Sequence, residues 1–153
     1  MTEQLIREER LALDGLGQYI QTLIPSREVS LAFTACQLGK MWLGKVLQAM
    51  EVSNPYPESK NPNSLQVEKT ADTYKVEDAW SSEDTKDFTQ IQKIKWIRQQ
   101  LDKVVNVLVW KKEYLDGYSS WKKDEEIILA IRTARERVIE SGMWLGQELG
   151  KHR

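Results

Sequence analysis

Residues that could do covalent chemistry are few in this chain, and their spacing suits none of the common mechanisms. The single histidine, His152, is the penultimate residue, where order is not expected. There is no glycine-rich phosphate loop, no cysteine pair for zinc and no nucleophile elbow. Carboxylates are plentiful, but Glu8 and Glu9, Glu77 and Asp78, and Glu125 and Glu126 are immediate neighbours. Adjacent residues of a helix point in different directions, so these pairs read as solvated faces rather than acid–base couples. No Glu-x-x-His pair supports a carboxylate metal cluster. The expectation is a protein that is not an enzyme, with no catalytic residues, metal or cofactor.

Binding is the chemistry that the residues do favour. Six tryptophans and five tyrosines are many for 153 residues. Trp42, Trp96, Trp110 and Trp144 fall in helical periods and read as core or oligomer packing. Tyr56, Tyr74 and Trp80 lie in a polar stretch where no core demands them, and an aromatic there can stack on a base. Arg27, Lys40, Lys45 and Lys60 supply cations. Arg27 stands where a helix should begin, and the unpaired backbone N–H groups of a helix start favour an anion. Arg27 and Lys45 are 18 residues apart on one predicted helix, roughly 27 Å at 1.5 Å per residue. One small ligand therefore reaches both only if they come from different chains or different halves.

Four helices are needed to position these groups. The first is predicted from Glu3 to Leu23, with Gly15 and Gly17 weakening it enough for a kink. Pro25 stops it and Ser26 caps a second helix over Arg27 to Met50. That helix carries Val29, Ala32, Phe33, Cys36, Leu43, Val46 and Leu47 at core spacing. Leu31, Leu38 and Trp42 form a second apolar stripe that needs a further partner. Residues 52–87 are rich in Asn, Ser, Pro, Asp and Glu and read as a long loop. Phe88, Ile91, Ile94, Ile97, Leu101, Val104 and Leu108 then mark a helix reaching about Tyr114, and a last helix starts near Asp124. The fold class is all-α: two antiparallel helical hairpins in tandem, residues 1–51 and 88–153, in an oligomeric helical bundle.

The halves resemble each other. Met41-Trp42-Leu43-Gly44-Lys45 returns as Met143-Trp144-Leu145-Gly146-Gln147, 102 residues later, and the same offset places Val29 on Ile131, Ala32 on Ala134 and Cys36 on Val138. Composition narrows the setting. The chain is 41% hydrophobic and 29% charged with a net charge of -1. That balance argues against a polynucleotide coat but leaves room for a small anion held by local cations. One cysteine, no signal-like N-terminus and no long apolar run point to the cytoplasm and away from membranes.

The run Ser26-Arg27-Glu28-Val29-Ser30-Leu31-Ala32-Phe33-Thr34, with Met41-Trp42-Leu43-Gly44-Lys45 and Asn54-Pro55-Tyr56-Pro57, resembles a family of small phage helical hairpins. The family includes the anti-CBASS cyclic-nucleotide sponges, and related hairpins occur among Thoeris anti-defence sponges. The likeness spans about residues 19–73. It implies sequestration, without cleavage, of a cyclic oligonucleotide second messenger, in pockets between protomers of a homo-oligomer in the host bacterial cytosol. Carried over residue by residue, it implies ligand contacts from Tyr19, Arg27, Thr34, Lys40, Lys45 and Tyr56. The sequence departs from the pattern at Ala35, Cys36, Gln37 and Leu38, where relatives have a Lys followed by acidic residues, and the second half lacks the Asn-Pro-Tyr-Pro segment. The alternative reading is a helical adaptor or inhibitor that binds a host protein through the Trp-rich second half.

Overall fold

A computed structural model describes residues 3–50, 88–109 and 121–152. The order is α1 (Glu3–Gln21), α2 (Arg27–Ala49), α3 (Gln90–Val107) and α4 (Trp121–Gly150), with no strand among the described residues. Among the described residues no helix is long and apolar enough to cross a membrane.

Helix boundaries follow local chemistry. Ser26 Oγ accepts a hydrogen bond from the Val29 amide at 3.1 Å, satisfying one of the orphan donors at the start of α2. Thr89 and Gln92 form a capping box for α3: the Gln92 amide donates to Thr89 Oγ1, and the Thr89 amide donates to Gln92 Oε1. α3 ends at Val107, short of the expected Tyr114, while α4 begins at Trp121, ahead of the expected Asp124. α1 shows no break at its glycines. Packing overrides propensity there, because a Cβ on Gly17 would stand 2.9 Å from Gln37 Nε2 and 3.6 Å from the Phe33 ring.

The helices form a closed ring of neighbours, α1 on α2, α2 on α4, α4 on α3 and α3 on α1, with α2 against α4 the most extensive pairing. Ser26 meets Glu148, Ala32 meets Ser141 and Gly39 meets Val138, so α2 and α4 run antiparallel. Arg10 donates to the Lys40 carbonyl and Cys36 to the Leu13 carbonyl, so α1 and α2 are antiparallel as well. Small residues let α2 and α4 approach. A Cβ on Gly39 would come within 3.0 Å of Val138 Cγ2 and 3.5 Å of the Ala134 carbonyl. Two turns away along α2 the buried Ser141 hydroxyl donates to the Ala32 carbonyl at 2.7 Å, which removes the penalty of an unmade bond.

One core runs through all four helices, with Ile6, Leu13, Ile20, Leu43, Leu47, Ile94, Ile97, Leu101, Leu108, Ile127, Ile131 and Leu145 essentially inaccessible. Each such side chain contributes roughly 1.5–3 kcal/mol by leaving water. Burial repeats with the sequence. At the 102-residue offset Val29, Ala32, Cys36, Leu43 and Leu47 are buried, and so are Ile131, Ala134, Val138, Leu145 and Leu149. For the first helices the matching offset is 88: Ile6, Leu13, Leu16 and Ile20 correspond to Ile94, Leu101, Val104 and Leu108, all buried. The connection between α3 and α4, together with the first two turns of α4, absorbs the difference.

Candidate functional site

The outward face of α2 carries Arg27, Ser30, Thr34, Met41 and Lys45, all exposed. Eighteen residues are five whole turns, so Arg27 and Lys45 project the same way from opposite ends of the helix. Each lies over an indole. The Arg27 guanidinium carbon is 5.3 Å from the centroid of Trp144 on α4, and Lys45 Nζ is 4.5 Å from that of Trp42 on its own helix. Both distances are in cation–π range, and neither cation has a carboxylate partner among the described residues. Trp42 and Trp144 are half-buried against the core. Trp144 Nε1 is buried and meets no acceptor among the described residues.

The α2 start is the more elaborate end. Ser26 Oγ, besides capping the helix, donates to Glu148 Oε2 at 2.9 Å. Glu148 is buried and also meets Lys151 Nζ at 3.4 Å and His152 Nε2 at 3.3 Å, so the chain's last turn is tied down rather than loose. Lys151 pairs in addition with Glu28. Burial would raise the Glu148 pKa, but hydrogen bonds from Ser26 and His152 and the Lys151 charge together hold it below its ordinary value. The hydrogen bond from Lys151 lowers Glu28, and reciprocally raises Lys151. An external anion at this helix start would therefore meet the protein's own carboxylate beside the cap, and Arg27 is left to act from its perch on Trp144.

Serine, carboxylate and histidine do meet here, but in an order that performs no hydrolysis. A triad needs the imidazole between hydroxyl and acid, whereas Glu148 stands in the middle. Among the described residues no group of three potential metal ligands comes together.

The remaining sequence-derived site residues are dispersed. Thr34 shares the Arg27 and Lys45 face, its hydroxyl donating back to the Ser30 carbonyl at 3.1 Å. Lys40 turns toward α1, half-buried, and pairs with Asp14 at 2.9 Å. Tyr19 is buried between α1 and α3, its ring edge-on to Trp96 at 5.2 Å and 82°. Tyr56, Lys60, Tyr74, Trp80 and Trp110 lie outside the described residues. The stripe of Leu31, Leu38 and Trp42 is half-buried.

Two features were not legible as site chemistry. Trp144 read as core, yet its ring is the platform for Arg27; the repeat of Met-Trp-Leu-Gly marked the residue without its role. Glu8 and Glu9 are not both plain surface charges, because they line a groove of about 330 Å3 between α1 and α3 with Ala12, Leu16, Gln100, Lys103, Val104 and Val107. Burial there, with Glu8 alongside, pushes the Glu9 pKa up to about 7. The thiol of Cys36 is likewise pushed up to about 12, by burial and then by Asp14, against a smaller opposing effect of Lys40. It is inert as a nucleophile near neutral pH.

Searches of family models, of curated proteins and of solved structures find no match to this chain.

Proposed function

We propose that the protein is a phage-encoded sponge that binds a cyclic oligonucleotide signal of bacterial immunity and holds it intact in the host cytosol. The observation that carries this reading is the pair of cation-topped tryptophans, Arg27 on Trp144 and Lys45 on Trp42, at the two ends of one face. A cyclic oligonucleotide needs cations for its phosphates and flat surfaces for its bases, and each pair offers both within one side-chain diameter. A near-neutral chain suits a small ligand better than a polymer. The resemblance of residues 19–73 to the phage hairpins supports the same reading, as does the recurrence of buried positions in the two halves, which fits two hairpins in tandem.

The two ends lie roughly 27 Å apart by the rise of α2, too far for one cyclic dinucleotide. A pocket that uses both Arg27 and Lys45 is built between copies in a homo-oligomer. The test is mass spectrometry of small molecules released by heating protein purified from cells that make such signals. Intact cyclic nucleotide supports the sponge, a linear product makes the protein a phosphodiesterase, and an empty release favours an adaptor that binds a host protein. Arg27→Ala and Lys45→Ala should each remain folded, since losing an exposed cation–π contact costs no more than about 1 kcal/mol. Each should weaken capture, and mixing the two variants should recover part of it.

A further inference from the structure

α4 is apolar on two faces. Ile127, Ile131, Ala134, Val138 and Leu145 fill the core. On the opposite side Leu129, Arg132, Glu136, Ile139 and Met143 follow one another at steps of three, four, three and four, the spacing of a helix–helix seam. Leu129 is 58% exposed, Ile139 45% and Met143 48%. Ordinary solvated positions do not look like this, and the sister helix shows what they do look like. At the 102-residue offset α2 carries Arg27, Ser30, Thr34, Gln37 and Met41, polar at four of five places.

The two charges in the middle of the seam are unspent. Arg137 pairs with Glu140 one turn away, but Arg132 and Glu136 make no ion pair among the described residues, although they are four apart on one helix. We propose that this face is a self-association surface, on which a second copy of the chain lays its own α4 antiparallel about a two-fold axis near Ala134. That register sets Leu129 against Ile139 of the other copy and Arg132 against Glu136, each contact occurring twice as an isologous interface requires. Sliding by a turn so that Leu129 faces Met143 sets Glu136 on Glu136. A parallel arrangement sets Arg132 on Arg132 and Glu136 on Glu136. The slid register still pairs Arg132 with Glu140, so the first register is distinguished by joining apolar to apolar and acid to base with no like-charge contact; it sets Met143 opposite Glu125. The contact is separate from the α2 face used by the proposed ligand site, and it stands whether or not the protein binds a nucleotide.

Sedimentation equilibrium of the intact chain tests it. The wild-type protein should sediment with an even number of 17.8 kDa chains. Arg132→Glu alone and Glu136→Arg alone should each halve that mass, because each creates two like-charge contacts. An equimolar mixture of the two single variants should return to the wild-type mass, since every contact across the mixed pair again joins opposite charges. The double variant with both substitutions should also return to it. A wild-type mass of one chain, single variants with unchanged mass, or a mixture that stays dissociated would overturn the proposal. Nucleotide release from the same samples reports separately on the sponge reading, so the two can fail independently.

Discussion

Trp42 and Trp144 hold equivalent places in the two halves and each lies beneath a cation, yet the cations arrive by different routes. Lys45 comes from three residues along the same helix, so its position rests on its own rotamer. Arg27 crosses from α2 to α4, beside a web in which Ser26, Glu28, Glu148, Lys151 and His152 join the two helices. The contrast extends to the positions beneath. The repeat counterpart of Glu148 is Val46, that of Ser26 is Ile128, and those of Glu28 and Lys151 are Ala130 and Ala49. One end of the α2–α4 pair is closed by a polar knot and the other by an apolar plug. A repeated framework thus fixes where the tryptophans stand, and divergence of the residues around them decides how firmly each cation is held.

Exchanging the two chemistries should show the difference most strongly. Val46→Glu puts a carboxylate into a fully buried position whose equivalents of the serine and lysine are apolar. An unpaired buried charge costs about 3–5 kcal/mol, which urea unfolding should register. The reciprocal Glu148→Val should cost only about 1–2 kcal/mol, because Ser26 and Lys151 are accessible enough to be rehydrated. Glu148 also predicts an acid limb. Its folded pKa lies below 4.5, so the unfolded chain binds the extra proton, and the stability Glu148 contributes is present above that value and lost as pH falls below it.

Glu9 gives the opposite limb. With a folded pKa of about 7 against 4.5, the folded chain holds the extra proton, and stability falls as pH rises through that window. Glu9→Gln should therefore stabilise at pH 8 by about 1–2 kcal/mol, a figure reduced for the carboxylate's partial solvation, and do little at pH 4. Denaturation midpoints at the two pH values check the sign. Smaller still is Ser26→Ala, at about 1 kcal/mol for the lost cap. Arg27→Gln should cost about 0.5–1 kcal/mol and perturb tryptophan fluorescence, whereas Lys45→Gln should stay within about 0.5 kcal/mol.

The helices were legible because periodicity and capping are local. Ser26 announced α2, and the spacing from Ile91 to Leu108 announced α3. The early end of α3 was not, and neither was the unbroken course of α1 through Gly15 and Gly17, where packing of Gly17 against Gln37 and Phe33 decides. Periodicity says which side of a helix is apolar but not which helix will cover it. Trp144 beneath Arg27, and Glu148 on Ser26, depend on α4 lying antiparallel along α2, which no short-range pattern encodes. The contacts of Lys40 and Tyr19 were hidden for the same reason: a lysine facing Asp14 and a tyrosine edge-on to Trp96 each join two different helices.

The α2–α4 pairing joins residues far apart in the chain: Ala32 to Ser141, Ser26 to Glu148, Glu28 to Lys151. Each half thus meets the other as a tethered reactant, at an effective concentration set by the connection between them. Loop-closure entropy grows only with the logarithm of length, about 0.6 kcal/mol per doubling. Folding speed carries the burden, because among the described helices the most extensive pairing, α2 on α4, joins residues far apart in sequence.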